Sequence, residues 1–454
     1  MRAILVFCRR LVIGQDSHAK DVLRGATRAG VLKAASAALA FGLNVVLGRS
    51  LGAAGAGLYF LALTIATIAA TIGRLGLDSA VVRSISSSAS CDNWDAITRF
   101  HRAALTIGLV CSTIVAVLLV LSSTYMATYV FSNAGLVVPI RIMAIAIVPL
   151  TLGVLVSRSL QGLSRIRDSV LVFSVLPYGV ALAATWILAK RVGVNGAIVG
   201  YVVAVLAAFL YGCVAWQRHT RKHLRIDGHA GTGAPARDLL RSAPPLLIGA
   251  LLQLVMTMSG TLMLGMWAPS SEVSLFAVAW RTAFLISFVL LAVNTIAQPK
   301  FAALFARRDL EALSSTARKT TIMMTIAATP AFLLLLILPG PVMGVFGREF
   351  VDGASALQIL AVGQFFNVAA GSVGIMLLMS HCETEYRNVQ IASACLVLVL
   401  NCLLIPAFGS KGAAIASAAA LIVQNILFGY FVWVRLGIQM LPGRQATHRQ
   451  RVDK

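Results

Sequence analysis

Arg281 is the residue with the most chemical consequence in this chain. It lies about ten residues into the apolar run 273–297, and at ~1.5 Å per residue that puts it ~15 Å deep, near the centre of a ~30 Å hydrocarbon layer. A guanidinium there costs roughly 2.5–3.5 kcal/mol on insertion scales. It must therefore face a wet cavity, a partner, or the carbonyls and hydroxyls between helices. All sixteen Asp and Glu residues fall in tails, loops or span ends. A mid-membrane arginine with no acid beside it suits an anionic ligand, phosphate above all, because the guanidinium bonds it bidentately and stays charged at every relevant pH. Holding a cation or proton needs the opposite, a buried carboxylate.

The elements that carry Arg281 follow from composition. Of 454 residues, 59% are hydrophobic and only 12% charged, against roughly 45–50% and 25% in soluble proteins. This excludes a water-soluble enzyme and, despite the net charge of +22, a nucleic-acid binder. Apolar runs lie at 29–49, 55–75, 103–122, 137–157, 169–189 and 194–216, then at 242–266, 273–297, 320–340, 353–379, 389–408 and 412–434. Their length and lack of strict alternation predict helices rather than barrel strands. The fold class is an all-α polytopic membrane protein with about 12 transmembrane helices.

About 31 of the 38 Lys and Arg residues fall on the side that holds both termini, whereas Arg49, Lys190, Arg191, Arg348 and Lys411 fall opposite. The positive-inside rule then puts both termini in the cytoplasm, with anionic lipids as partners of the inner face. Residues 1–28 read as a cytoplasmic tail rather than a signal peptide, because Arg9-Arg10 interrupts the apolar run and no small-residue cleavage site follows. Residues 29–216 form one six-helix bundle, 217–241 a cytoplasmic linker, 242–434 a second bundle and 435–454 a cytoplasmic tail. The halves repeat at an offset of 217: Gly48 matches Gly265, Arg83 matches Lys300, Asp92 matches Asp309, and Arg102 matches Lys319. An even number of spans in each half makes the repeats parallel, with a substrate cavity between them near the midplane. No CxxC, no Walker A sequence and no long outer loop is present, so neither cofactor, metal, ATP hydrolysis nor a glycan polymerase activity is predicted.

Several stretches resemble a known family. LGRSLGAAGAGLYF (47–60) with GLDSAVVRSIS (76–86) is similar to the first hairpin of polysaccharide-lipid flippases. WRTAFLISFVLLAVNTIAQPKFAALFARRDLEAL (280–313) and FGREFVDGASALQILAVGQFFNVAAG (346–371) resemble the second half, and SRSLQGLSRIR (157–167) with the turns GVNGAIVG and GSKGAAIAS fits as well. The family is the Wzx-like branch of the multidrug/oligosaccharidyl-lipid/polysaccharide exporter superfamily. Members often carry Pro and an acid after the first Leu-Gly, where this chain has Gly52-Ala53-Ala54-Gly55. The resemblance implies two six-helix bundles around a cationic cavity, and transfer of undecaprenyl-pyrophosphate-linked oligosaccharide from the inner to the outer leaflet. It implies a polysaccharide polymerase and export machinery as further partners. The sister activity, cation-coupled multidrug export, is the alternative.

On that reading Arg281 binds pyrophosphate. Arg49 and Arg141, at the outer ends of the first and fourth spans, either face the cavity mouth or snorkel to the interface. Arg83 and its repeat mate Lys300 either draw phosphates to the inner opening or anchor helices to headgroups. The amides Asn44, Gln253, Gln364 and Asn367 bond either sugar hydroxyls or neighbouring helices.

Overall fold

In hydrocarbon every backbone N–H and C=O must find a partner inside the protein, and a helix supplies one without outside help. The computed structural model describes residues 17–221 and 235–438, and its regular elements are all helical. Most of the two expected tails and of the linker lie outside these residues. Among the described residues eight helices are long and apolar enough to cross a membrane, and a further pair, Arg348–Ala369 with Val373–Met379, is bent by 41°.

Three of the eight are really two helices each. The break falls at Gly52 in α1 (Ser17–Gly73), at Gly193 in Leu176–Thr220 and at Gly409 in Glu383–Leu436. The φ values there are +65°, +62° and +54°, with ψ near or beyond −131°, a conformation open to glycine and almost nothing else. Counting each arm separately, and the bent pair as one, gives twelve apolar segments. The sequence suggests short polar loops at these three places; the chain instead turns on one glycine. Close contacts show the arms running antiparallel: Gly196 abuts Leu188 and Gly200 abuts Ala184, while Gly412 abuts Leu404.

The remaining long helices are α2 (Leu77–Ser90), α3 (Trp94–Tyr125), α4 (Val137–Gly162), α5 (Pro235–Trp267), α6 (Ser270–Ala283), α7 (Phe288–Ala306) and α8 (Leu310–Ile337). Backbone landmarks recur between the halves. Ser164 and His381, 217 residues apart, both take left-handed φ values of +59° and +57°. Asp92 and Arg308 do the same at 216 apart, and each precedes an N-cap whose side chain accepts from the third residue on, Asn93 from Ala96 and Asp309 from Ala312. The structural equivalent of Asp309 is therefore Asn93, one residue beyond the Asp92 of the sequence alignment.

At the end carrying the three glycine breaks the two halves are drawn together. Arg49 Nε donates to the Val345 carbonyl at 2.8 Å, the Ala53 N–H donates to Glu349 Oε2 at 2.7 Å, and Asn133 Nδ2 donates to Ser270 Oγ at 3.1 Å. Phe41 packs edge-on against Phe346, with ring centroids 5.2 Å apart. Glycines permit the approach: a Cβ on Gly48 would sit 2.6 Å from the Phe346 carbonyl oxygen, and one on Gly57 would overlap the Ser270 carbonyl. At the opposite end Gly76 abuts the backbone of Leu247 in α5. Gly57→Ala is expected to force the halves apart and destabilise the protein by ~1–3 kcal/mol. Gly249→Ala, which meets nothing within 4 Å, should be neutral or slightly stabilising. Thermal unfolding of the two variants in detergent checks the contrast.

Candidate functional site

Helix α6 starts after Pro269 and carries Arg281 in its last turn; a short 3-10 turn, Phe284–Ser287, then leads into α7. Arg281 Nη1 donates to the Ala277 carbonyl at 3.0 Å, one turn back on its own helix. The guanidinium lies over the ring of Phe60, 4.3 Å from Cζ to the centroid. Phe60 belongs to α1, so this cation–π contact joins the two halves. It is worth ~0.5–2 kcal/mol, the upper figure for desolvated pairs, and offsets part of the cost of a charge at this depth.

Three tyrosines lie near the charge. Tyr59, Tyr201 and Tyr178, all from the first half, lie within electrostatic range of Arg281. Tyr59 and Tyr201 meet edge to face with centroids 6.5 Å apart, and the Tyr59 hydroxyl is buried with no hydrogen-bond partner. Arg281 enters no ion pair among the described residues. Of five guanidinium N–H donors, one is taken by Ala277. The arrangement holds an uncompensated positive charge next to an orphan phenol, between two halves of the molecule. Such a site can take an anion with several oxygen acceptors.

The polar residues of the second half support this site from below. Ser287 Oγ, at the end of the 3-10 turn, donates to Gln364 Oε1 at 2.6 Å and accepts from Asn367 Nδ2 at 3.3 Å. Asn367 Oδ1 accepts in turn from Asn425 Nδ2 at 3.0 Å, and Ser372 bonds to Asn294 on α7. Gln364 is 3% exposed. The amides of Gln364 and Asn367 are thus engaged between helices, where they pin the bend that follows Arg281.

The other predicted residues are dispersed. Arg49 is exposed at the glycine-break end on the Val345 carbonyl. Arg141 is exposed, its Nε donating to Ser123 Oγ at 3.0 Å and its Nη2 to Thr124 Oγ1 at 3.1 Å. Gln253 is exposed on α5, and Arg83 is exposed on α2. Lys300 is half-buried on α7, and Asn44 is 8% exposed within α1. The structure brings none of these into contact with Arg281. Sequence reasoning missed Phe60, the three tyrosines, Ser287 and Asn425. A single aromatic among so many apolar residues carries no signal of its own.

The model of the family described as "Polysaccharide biosynthesis protein" matches residues 22–305, and that described as "MatE" matches residues 245–379. The probable low-salt glycan biosynthesis flippase Agl15 of Haloferax volcanii is 25% identical over 170 residues, 37% of this chain and 36% of that protein. The chain thus spans about a third of that relative's length. Among solved structures, lipid II flippase MurJ in an inward closed conformation matches with a TM-score of 0.73 at 13% identity, covering 89% of this chain and 87% of that one. An inward-facing multidrug resistance MATE family transporter of the MOP superfamily matches with a TM-score of 0.68 at 16% identity, covering 88% and 94%. These likenesses establish the fold.

Replacing Ser287 by Ala removes little but the hydroxyl and leaves the buried Gln364 carbonyl without a donor, which costs ~1–3 kcal/mol. Ser287→Thr, which restores the hydroxyl, should recover most of that loss in the same thermal unfolding measurement.

Proposed function

The chain belongs to the polysaccharide biosynthesis protein family, and from that premise we propose that it flips undecaprenyl-pyrophosphate-linked oligosaccharide from the inner to the outer leaflet of the cytoplasmic membrane. The observation that carries this reading is the acid-free Arg281, held on Phe60 among tyrosines between the halves. A diphosphate supplies the acceptors that the guanidinium and the Tyr59 hydroxyl lack. The mid-membrane charge has the wrong sign for the alternative, cation-coupled drug export, which holds its cation on a carboxylate.

The proposed cycle is alternating access. Two bundles, residues 29–216 and 242–434, rock against each other about the Arg281–Phe60 contact, with both termini in the cytoplasm. The phosphates bind Arg281 while the cytoplasmic side is open, the sugars occupy the space between the bundles, and the polyprenyl tail stays in lipid. Parting of the Arg49–Val345 and Ala53–Glu349 bonds then opens the outer side. No covalent bond changes, so the protein acts as a transporter. An inside-negative potential favours outward movement of an anionic headgroup by ~2.3 kcal/mol per elementary charge per 100 mV. A polymerase and the export machinery are the proposed downstream partners.

Arg281→Ala is expected to reduce glycan export roughly a hundredfold, within the ~2–5 kcal/mol of a lost buried charge contact. Arg281→Lys should retain part of it, since the ammonium keeps the charge and loses the bidentate fork. The readout is surface glycan at matched expression, together with lipid-linked repeat units accumulating in the inner leaflet. Normal export by both variants would overturn the assignment of Arg281.

A further inference from the structure

A second cationic site lies at the end of the first half opposite the glycine breaks. Arg74 directly follows α1 and is largely withdrawn from solvent, its side chain 13% exposed. Its Nη2 donates to Thr71 Oγ1 at 2.7 Å. Its Nε sits 3.1 Å from Asp78 Oδ1, yet neither atom makes an aligned hydrogen bond, and both are buried. Arg158 on α4 lies within electrostatic range of Arg74. Helices α1 and α4 meet just above, where Thr151 Oγ1 donates to the Ala70 carbonyl at 3.3 Å.

Arg158 is no better satisfied. Its Nη1 donates to Gln161 Oε1 at 2.8 Å, its guanidinium lies 5.4 Å from the Phe173 centroid, and its Nε is buried without a partner. Gln161 is exposed, so the cluster opens to solvent. Two guanidiniums therefore lie near a single carboxylate, an excess of positive charge; the Arg74 Nε–H has only a poorly aligned ion pair, and the Arg158 Nε–H is buried without a partner. Like charges brought together out of water are costly unless an anion joins them. Planar donors from two arginines match the oxygens of two linked phosphates.

We propose that Arg74 and Arg158 form a second phosphate-binding site at the cytoplasmic mouth, which takes the diphosphate of the lipid-linked substrate before Arg281 receives it. The place of this site in the transport path rests on the flippase reading above; its affinity for diphosphate does not. Asp78 competes with the ligand for Arg74 and keeps the empty site from holding two bare charges. Arg281 then lies further along the same path, between the halves, so the headgroup passes from one arginine site to the next.

The test uses the full chain in phosphatidylcholine nanodiscs, titrated with inorganic pyrophosphate and followed by thermal shift. Arg74→Gln with Arg158→Gln should weaken pyrophosphate binding by about tenfold or more, and should do so equally in an Arg281→Ala background. Asp78→Asn keeps both arginines and removes their competitor, so it should tighten binding several-fold, a gain that misfolding cannot produce. Unchanged binding in the double variant, or weaker binding in Asp78→Asn, overturns the proposal. Loss of binding in Arg281→Ala alone, with no effect of the double variant, overturns it while leaving the flippase reading in place. A parallel titration in nanodiscs containing phosphatidylglycerol separates the two sources of phosphate. Pyrophosphate binding that persists there supports a substrate site, whereas its displacement assigns the site to phospholipid and overturns the proposal.

Discussion

A half-buried guanidinium without a carboxylate partner constrains everything around it. Arg281 can be kept at the middle of an apolar protein only if other groups share its charge, and the structure meets this with an aromatic face from the opposite half and a carbonyl from its own helix. Neither contact neutralises the charge. A salt bridge would have, at the price of a site already filled. The cation–π contact engages the face of the guanidinium and not its N–H edge, so the proposed site is organised before a ligand arrives.

The two halves divide this work unequally. The first half contributes the ring face of Phe60, with Tyr59, Tyr178 and Tyr201 within electrostatic range. The second contributes the arginine and the chain Ser287, Gln364, Asn367 and Asn425, whose bonds hold the 3-10 turn behind it. Backbone landmarks recur between the halves, as at the left-handed Ser164 and His381. The chemistry lies in what the repeats do not share. Thr64 stands at the position in the first half equivalent to Arg281, and it is buried.

The hydrophobic runs and their ends were legible because each span must be ~20 residues of apolar chain whatever it packs against. Arg281 was legible for the same reason, since one charge in such a run stands out. Its partners were not. Phe60 and Tyr59 look like any other lipid-compatible residues, and only the way α1 crosses α6 selects them. The amides Gln364 and Asn367 could be seen as polar but not assigned, because a sugar hydroxyl and a neighbouring serine attract an amide equally. Gly52 lies where the family pattern departs, and the departure conceals a requirement: a residue of φ +65° whose following N–H is capped by Glu349 from the other half.

The single-residue turns at Gly193 and Gly409 have a mechanical consequence. A hairpin joined by several loop residues can splay or slide, and each arm then responds to force on its own. Here the arms meet at a single-residue vertex and are packed closely beside it through Gly196, Gly200 and Gly412. Each hairpin transmits displacement as a lever, with little slack to absorb it. A tilt imposed on one arm of such a hairpin is therefore shared by the other.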